Sequence, residues 1–205
     1  MQKKSDFIIV NGESNSLTGH EMTFGETGKL KITGNRNKVF VGEGTDLKGL
    51  RLEITGDDCE FIIGSKCKIR GFIQIKGIGS SMRIGNKSTA TGISVVVIEG
   101  KTISIGDDCM LSYQIEMRTS DAHALLDINT RKRINLADNI SIGNHVWIGA
   151  RAVILKGACL PNDVVVAQGS MINKAYLDSH CVLAGTPAKV VKSGVTWDRK
   201  LSVGL

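Results

Sequence analysis

Apolar residues recur every six positions through the C-terminal half of the chain. This period fits neither an α-helix nor a strand whose side chains alternate between two faces. It is the spacing of a chain that turns a corner every six residues, with each apolar side chain pointing into a narrow core. Successive turns of such a chain stack as the coils of a parallel β-helix. The series consists of Ile142, Ile148, Ile154, Leu160, Val166 and Ile172.

The N-terminal half repeats with a longer period. A glycine follows an aliphatic residue at Gly42, Gly64, Gly85 and Gly106, at separations of 22, 21 and 21 residues. A regular three-sided coil needs about 18 residues, so each of these coils is expected to carry extra residues at one corner. The fold class predicted for the whole chain is therefore all-β, a single parallel β-helix.

The repeat is interrupted once and also ends before the C-terminus. Between Met117 and Ser141 the chain is polar and lacks the six-residue pattern, which predicts a loop that leaves the helix. Insertions in repeat proteins gather on one face and often build the binding surface. The sequence after Pro187 departs from the repeat and is basic. The predicted parts of the single domain, 1–205, are a cap (1–30), irregular coils (31–117), an extruded loop (118–140), regular hexapeptide coils (141–186) and a tail (187–205).

Composition narrows the classes of function. The formal net charge of +6 suits an anionic ligand, and the aromatic content of 4% argues against a stacking platform for nucleic acid. No apolar run reaches the about 18 residues of a membrane-spanning helix, so no membrane insertion is expected. The N-terminus lacks the pattern of a signal peptide, and the five cysteines lack the spacing of a zinc site or redox motif. These features predict a cytoplasmic protein with reduced, structural thiols.

His123 is the first candidate for chemistry, because it lies in the extruded loop two residues after Asp121. Imidazole titrates near neutral pH, so it can take a proton from a substrate hydroxyl and later release it. The alternative is a solvated loop histidine without a role. Asp121 is a candidate for orienting the imidazole ring or for contacting the acceptor.

Trp147 is the second candidate. It immediately precedes the inward Ile148 at a corner of the regular coils, so its side chain should project outward. An exposed large aromatic on a rigid surface indicates a bound ligand or a neighbouring subunit. The alternative for Trp147 is packing against a partner chain.

Cations cluster in or beside the extruded loop and favour an acidic acceptor, the alternative being solvated surface. No histidine pair has the spacing of a zinc site, so no metal is expected. The loop cations are Arg118, Arg131, Lys132 and Arg133.

About residues 112–197 resemble the hexapeptide-repeat acyltransferases. The resemblance rests on Ser120-Asp-Ala-His123 in the loop, on the run from Ile140 through Val-Trp147-Ile-Gly to Gly157, and on Ala184-Gly-Thr-Pro-Ala-Lys189. Within this family the chain is similar to the O-acetyltransferases of capsular and lipopolysaccharide sugars. A loop histidine followed 24 residues later by the repeat tryptophan resembles the enzymes that acetylate polysialic acid.

This resemblance implies a left-handed β-helix, a homotrimer, and acetyl-CoA as the donor. It implies that His123 is the general base, in a cleft between two subunits, and that Trp147 lines the cleft near the thioester. It further implies that the pantetheine arm of the donor runs along corner residues and that lysines lie near the nucleotide phosphates. The corner residues are Gly149, Ala150, Ala167 and Gln168, and the lysines are Lys174, Lys189 and Lys192.

The leading hypothesis is direct acetyl transfer from acetyl-CoA to a sugar hydroxyl of a bacterial surface polysaccharide, such as polysialic acid. The oxyanion donor is left open between a backbone N–H and the indole N–H of Trp147. A second hypothesis is acetyl transfer to a small acceptor such as a simple sugar, a nucleotide-sugar or an antibiotic. A third is a non-catalytic β-helix scaffold or binding protein, against which the pair of His123 and Trp147 argues, because a scaffold needs neither residue.

Overall fold

The computed structural model describes residues 7–201, so the first six residues of the predicted cap and the last four of the predicted tail lie outside it. The described residues form nineteen β-strands. They are β1 (Ile8–Asn11), β2 (Ser16–Gly19), β3 (Lys29–Thr33), β4 (Lys38–Val41), β5 (Leu50–Thr55), β6 (Glu60–Ile63), β7 (Lys68–Lys76), β8 (Ser81–Ile84), β9 (Thr89–Val97), β10 (Thr102–Ile105), β11 (Met110–Arg118), β12 (Ile140–Ile142), β13 (Trp147–Ile148), β14 (Val153–Leu155), β15 (Cys159–Leu160), β16 (Val164–Val166), β17 (Met171–Ile172), β18 (Cys181–Gly185) and β19 (Ala188–Ser193).

The strands wind into coils with three faces. Face one contains β13, β16, β18 and the first parts of the long strands β7, β9 and β11. Face two contains β1, β3, β5, β14, β17 and the second parts of those long strands, so it has one segment in each of eight coils. Face three contains β2, β4, β6, β8, β10, β12 and β15. Neighbouring strands within each face are parallel, as the sequence predicts for a β-helix.

The core is a column of aliphatic side chains. All six members of the predicted series, from Ile142 to Ile172, are buried. Inward residues of successive coils lie in register, as when Ile63 pairs with Ile84 and Ile84 pairs with Ile105. The six-residue period therefore predicts the buried residues of the core correctly. It does so because each face places its inward side chain at the same position in every coil.

The corner between faces one and two widens along the helix axis. There are two register shifts at this corner. At the first, β9 has one residue more than β7, and at the second, β11 has one residue more than β9. Ile73 of face two follows Ile69 of face one by four positions, whereas Ile154 follows Ile148 by six. Such β-bulges re-aim neighbouring side chains and are frequent beside functional sites. The widened part of the corner forms the groove described below.

The extra residues of the early coils lie between faces two and three. Ile84 follows Ile73 by eleven positions, whereas Leu160 follows Ile154 by six. The extruded loop joins β11 to β12 at this same corner and comprises residues 119–139, one residue shorter at each end than predicted. The loop is therefore the longest of a set of insertions at one corner.

The C-terminal segment returns to the helix after leaving the repeat. β19 pairs antiparallel with β18 and adds an edge strand to face one. The chain then turns back along the axis, where the Val195 N–H donates to the His180 carbonyl at 3.0 Å. Within residues 7–201 there is no helix long and apolar enough to cross a membrane.

Gly34→Ala is expected to destabilise the β-helix, because Gly34 sits at a tight corner with φ +128°. A Cβ atom there would lie 2.0 Å from the Gly56 carbonyl oxygen of the next coil. The strained φ alone costs more than about 1 kcal/mol, which urea unfolding would measure as a lower midpoint. Gly79→Ala is the matched control, with φ +68° and nothing within 4 Å of the added Cβ. Equal losses in the two variants would contradict the role of the close backbone approach.

Candidate active site

A groove of about 440 Å³ runs along the widened corner between faces one and two. It brings together five residues for which the sequence predicts a role in the cleft. Ser112 and Tyr113, for which the sequence predicts no such role, complete the wall of the groove on the side of the preceding coil. Tyr113 is 51% exposed beside the bulge at this corner, a position that no six-residue pattern reveals. The five predicted residues are Trp147, Gly149, Ala150, Ala167 and Gln168.

The groove is open because its backbone segments approach each other without intervening side chains. The Gly149 N–H donates to the Val166 carbonyl at 2.8 Å, and a Cβ on Gly149 would lie 2.7 Å from the Gln168 nitrogen. Trp147 borders this floor and is 39% exposed. Trp147 pairs with Val165 of the next coil. The two outward-facing side chains therefore lie next to each other along the helix axis. A flexible, chain-like ligand lying along the corner would therefore contact backbone amides.

Two of the three lysines predicted to lie near the donor phosphates are on β19, the edge strand of face one. Lys192 pairs with Val182 and Lys189 pairs with Ala184 across the β18–β19 ladder, beyond the coils that form the groove. The structure does not bring Lys174 to this place. Lys174 lies past the far edge of face two, where its carbonyl accepts the Cys159 N–H at 3.4 Å and its Nζ lies 5.6 Å from the Tyr176 ring centre.

The base of the extruded loop is held by the amide of Asn135, which is only 8% exposed. Its Nδ2 donates to the Asp121 Oδ2 at 2.7 Å and to the His123 carbonyl at 2.8 Å. Its Oδ1 accepts the Leu125 N–H at 2.7 Å. Lys156 adds an ion pair to Asp121 at 2.5 Å, and these contacts lower the pKa of the Asp121 carboxyl, with Lys156 as the larger cause. Asp121 is therefore engaged by Lys156 and Asn135 and makes no hydrogen bond to the His123 ring.

Glu99 anchors the other side of the loop. It forms two hydrogen bonds with the Arg133 guanidinium, at 2.6 and 3.0 Å, and accepts one from the Ser120 hydroxyl. The Arg133 bonds, followed by the Ser120 bond, lower the pKa of Glu99 to about 2. The roles of Glu99 and Asn135 could not be predicted from the sequence, because their partners lie 34 and 12–14 residues away in a segment without periodicity.

The four loop cations fall into two groups. Arg133 is paired with Glu99, and Arg118 is paired with Glu116, so their charges are locally compensated. The side chains of Arg131 and Lys132 are exposed and have no acidic partner among the described residues. Only these two retain uncompensated charge for an acidic acceptor.

Within one chain, His123 and Trp147 lie beyond opposite edges of face two, His123 in the extruded loop and Trp147 on face one. The groove follows the edge at Tyr113, whereas the loop leaves from the edge at Arg118. Five strand residues separate these edges by about 17 Å at about 3.3 Å per residue. The His123 ring is exposed and makes no hydrogen bond within residues 7–201. The predicted base and the predicted donor groove are therefore not brought together by a single copy of the chain.

Comparison with known proteins places the chain in a family. No protein-family model matches it. A polysialic acid O-acetyltransferase of Neisseria meningitidis is 32% identical over 190 residues, which span 93% of this chain and 88% of that protein. The chain belongs to the polysialic acid O-acetyltransferase family. It is thus a hexapeptide-repeat acyltransferase, which confirms the family predicted from the sequence.

Solved structures of this family share the fold over nearly the whole chain. The polysialic acid O-acetyltransferase OatWY matches with a TM-score of 0.92 and 31% identity over 95% of this chain and 92% of its own. The polysialic-acid-specific acetyltransferase NeuO matches with a TM-score of 0.90 and 32% identity over 97% and 91%. The left-handed β-helix expected for this acyltransferase is confirmed, including the N-terminal coils that the sequence resemblance left out.

The cysteines of this acyltransferase are poorly suited to form a covalent intermediate. All five are free thiols, and four of them are buried. Burial raises the pKa of Cys109 to about 11 and also raises those of Cys59, Cys67 and Cys181, which disfavours the nucleophilic thiolate. Among residues 7–201 no three His, Cys, Asp or Glu side chains are grouped to hold a metal ion.

The Glu99 carboxyl is expected to titrate at about pH 2, well below its ordinary value of 4.5. Because the folded pKa is lowered, the Glu99 contribution to stability is complete above pH 4.5 and is lost as the pH falls through about 2. Carbon NMR of the labelled carboxyl measures the midpoint directly. Arg133→Met removes the main cause and should move the midpoint back toward 4.5. A wild-type midpoint near 4.5 would show that the anchor is not formed in solution.

Proposed function

We propose that this acyltransferase moves the acetyl group of acetyl-CoA to a hydroxyl of a polyanionic capsular sugar, with polysialic acid as the acceptor. The observation that carries the proposal is the groove, because it collects Trp147 and the small corner residues into one channel. A channel floored by backbone suits the pantetheine arm of the donor. Lys189 and Lys192 at its far end supply positive charge for the nucleotide phosphates. Acetyl-CoA as donor, together with unpaired thiols, supports a cytoplasmic reaction.

His123 acts as the general base in the proposed mechanism. Its imidazole takes the proton of the sugar hydroxyl while the hydroxyl oxygen attacks the thioester carbonyl. The tetrahedral intermediate then expels the CoA thiolate, which receives that proton from the imidazolium. The ring is free for this role because Asn135 holds only the His123 backbone carbonyl. Holding both substrates in one cleft supplies much of the remaining acceleration.

The developing oxyanion needs a hydrogen-bond donor. The Gly149 N–H is excluded, since it already donates to the Val166 carbonyl at 2.8 Å. The indole N–H of Trp147 makes no hydrogen bond within the described residues, and Trp147 lines the groove. We assign the oxyanion contact to this N–H, with the donor thioester lying beside the Trp147 ring.

The complete site requires two copies of the chain, and a homotrimer provides three such sites. One copy keeps His123 and the groove at opposite edges of face two, so the loop of one subunit must meet the groove of another. Closed cyclic symmetry gives every groove one such loop. The loop carries exposed apolar side chains that a neighbour would cover. They are Leu125, Leu126, Ile128, Ile134 and Leu136.

Transfer of label from radioactive acetyl-CoA to purified glycans tests the proposal. The acceptors are polysialic acid, the same polymer with its carboxyls reduced, the sialic acid monomer, and a neutral galactoside. We expect label in polysialic acid, with at least about tenfold less in the carboxyl-reduced polymer because Arg131 and Lys132 lose their partners. Label confined to the monomer or the galactoside would instead support the small-acceptor hypothesis. Absence of transfer to every glycan would contradict the enzyme function.

A further inference from the structure

The segment 194–200, here named the C-terminal strap, crosses the corner between faces three and one. Its Val195 N–H donates to the His180 carbonyl at 3.0 Å, and its Trp197 indole N–H donates to the His145 carbonyl at 2.8 Å. The Arg199 guanidinium donates to the Cys109 carbonyl at 2.9 Å. The strap therefore spans three coil spacings, about 14 Å at about 4.8 Å each.

Trp197 packs between a corner histidine and the groove tryptophan. Its ring is stacked on His145 with 4.3 Å between centres and 8° between planes. It lies 6.2 Å from the Trp147 ring at a tilt of 49°. Trp197 is only 8% exposed, whereas Trp147 is 39% exposed. The indole of Trp147 thus borders the groove and is supported by the buried ring of Trp197.

The surroundings hold Trp197 rigidly in this place. Arg199 lies over its ring at 5.6 Å and is itself bound to Asp108 at 3.0 Å and to the Thr89 hydroxyl at 2.8 Å. His145 is oriented by a bond of 2.9 Å between its Nδ1 and Asp163. Hydrogen bonds to charged groups are the stronger kind, so Arg199 fixes the strap on the C-terminal side of Trp197 and Asp163 fixes the histidine ring on which Trp197 stacks.

We propose that Trp197 is a positioning residue for acetyl transfer, acting by holding the Trp147 indole in the orientation that faces the thioester. The inference rests on the proposed function, since it takes Trp147 to lie at the reacting end of the donor. Trp197 does not border the groove and does not touch either substrate. Loss of Trp197 should therefore slow the chemical step. It should leave the binding of the donor's nucleotide end, near Lys189 and Lys192, unchanged.

Trp197→Leu tests the inference, because leucine keeps an apolar side chain but lacks the flat ring. We expect kcat to fall by about ten- to a hundredfold, since small misplacement of reacting groups has effects of this size. The KM for acetyl-CoA should change by less than about threefold, because the pantetheine and nucleotide contacts persist. Trp197→Phe restores a ring and should recover most of kcat. Lys200→Ala, in the same strap but exposed, is the matched control and should leave both constants unchanged.

Spectroscopy separates positioning from general stability. The chain contains two tryptophans, so an exciton couplet in circular dichroism reports the Trp147–Trp197 pair alone. Trp197→Leu should abolish the couplet, and the anisotropy of Trp147 fluorescence should then decay faster than in Trp197→Phe. If Trp197→Leu does not accumulate as folded protein, Arg199→Met replaces it, because it releases the strap without removing the ring. The same loss of kcat with unchanged KM is expected.

The outcomes are distinct. An active wild type together with a folded, equally active Trp197→Leu or Arg199→Met variant would overturn this inference and leave the proposed function standing. A loss of activity that parallels a fall in melting temperature, without rescue by Trp197→Phe, would also overturn it. An inactive wild type would overturn the proposed function and the inference with it.

Discussion

His123→Ala should lower kcat/KM for acetyl transfer by about 10²–10⁴-fold, the usual contribution of a general base. The melting temperature should not change, because the His123 ring is exposed and makes no hydrogen bond within the described residues. The Asn135 amide binds the His123 backbone, so the loop stays anchored when the ring is removed. Initial rates of wild type and variant, measured with labelled acetyl-CoA under the same conditions, check this expectation.

His20→Ala is the matched control for this variant. His20 is also exposed, and its backbone N–H, which the substitution retains, makes its bond to Val41. We expect wild-type rates for His20→Ala. A His123→Ala enzyme as active as wild type would falsify the assignment of the base.

Mixing two inactive variants should restore activity if the site lies between subunits. His123→Ala lacks the base but has an intact groove, and Trp147→Ala has the base but a defective groove. In an equal random mixture, a site needs its loop from one variant and its groove from the other, so about a quarter of the sites are restored. The two variants are co-expressed with different tags, purified as mixed oligomers and assayed as above.

The control for complementation is the double variant His123→Ala/Trp147→Ala, mixed with the wild-type chain at the same ratio. In that mixture, an active site needs both its His123 loop and its Trp147 groove from wild-type chains, because the double variant supplies neither. The same quarter of active sites is expected, with no activity when the double variant is mixed with either single variant. Absence of recovery in mixed oligomers of the two single variants would mean that base and groove come from one chain.

The periodic part of the molecule is predictable because its physics is local. Each hexapeptide places one aliphatic residue inward and one corner residue outward, so the burial of Ile148 and Ile154 follows from spacing alone. The same register aligns the corner at Gly149 with the corner at Ala167 one coil later. Residues that are 18 positions apart therefore become neighbours without any knowledge of long-range folding.

The remaining parts of the site follow from contacts that have no period. Tyr113 enters the groove because a register shift bends β11, and a single inserted residue leaves no pattern in the sequence. Glu99 meets Arg133 because the loop folds back on the corner from which it leaves. The separation of Lys174 from Lys189 was also not predictable, because it depends on the face of the β-helix on which each lysine lies. Lys174 lies past the edge of face two, near the Tyr176 ring, whereas Lys189 lies on the edge strand of face one.

Arg199 binds the Thr89 hydroxyl across 110 positions of sequence, whereas most ties in this solenoid join residues one coil apart. Solenoids with nearest-neighbour contacts alone lose their terminal repeats by independent fraying. Here the Arg199 side chain connects the C-terminal segment to a middle coil, so we expect the coils between them to unfold together. Such a non-local contact also forms late in folding, because loop-closure entropy delays it. The groove lined by Trp147 should therefore form last in folding and should unfold as one cooperative unit.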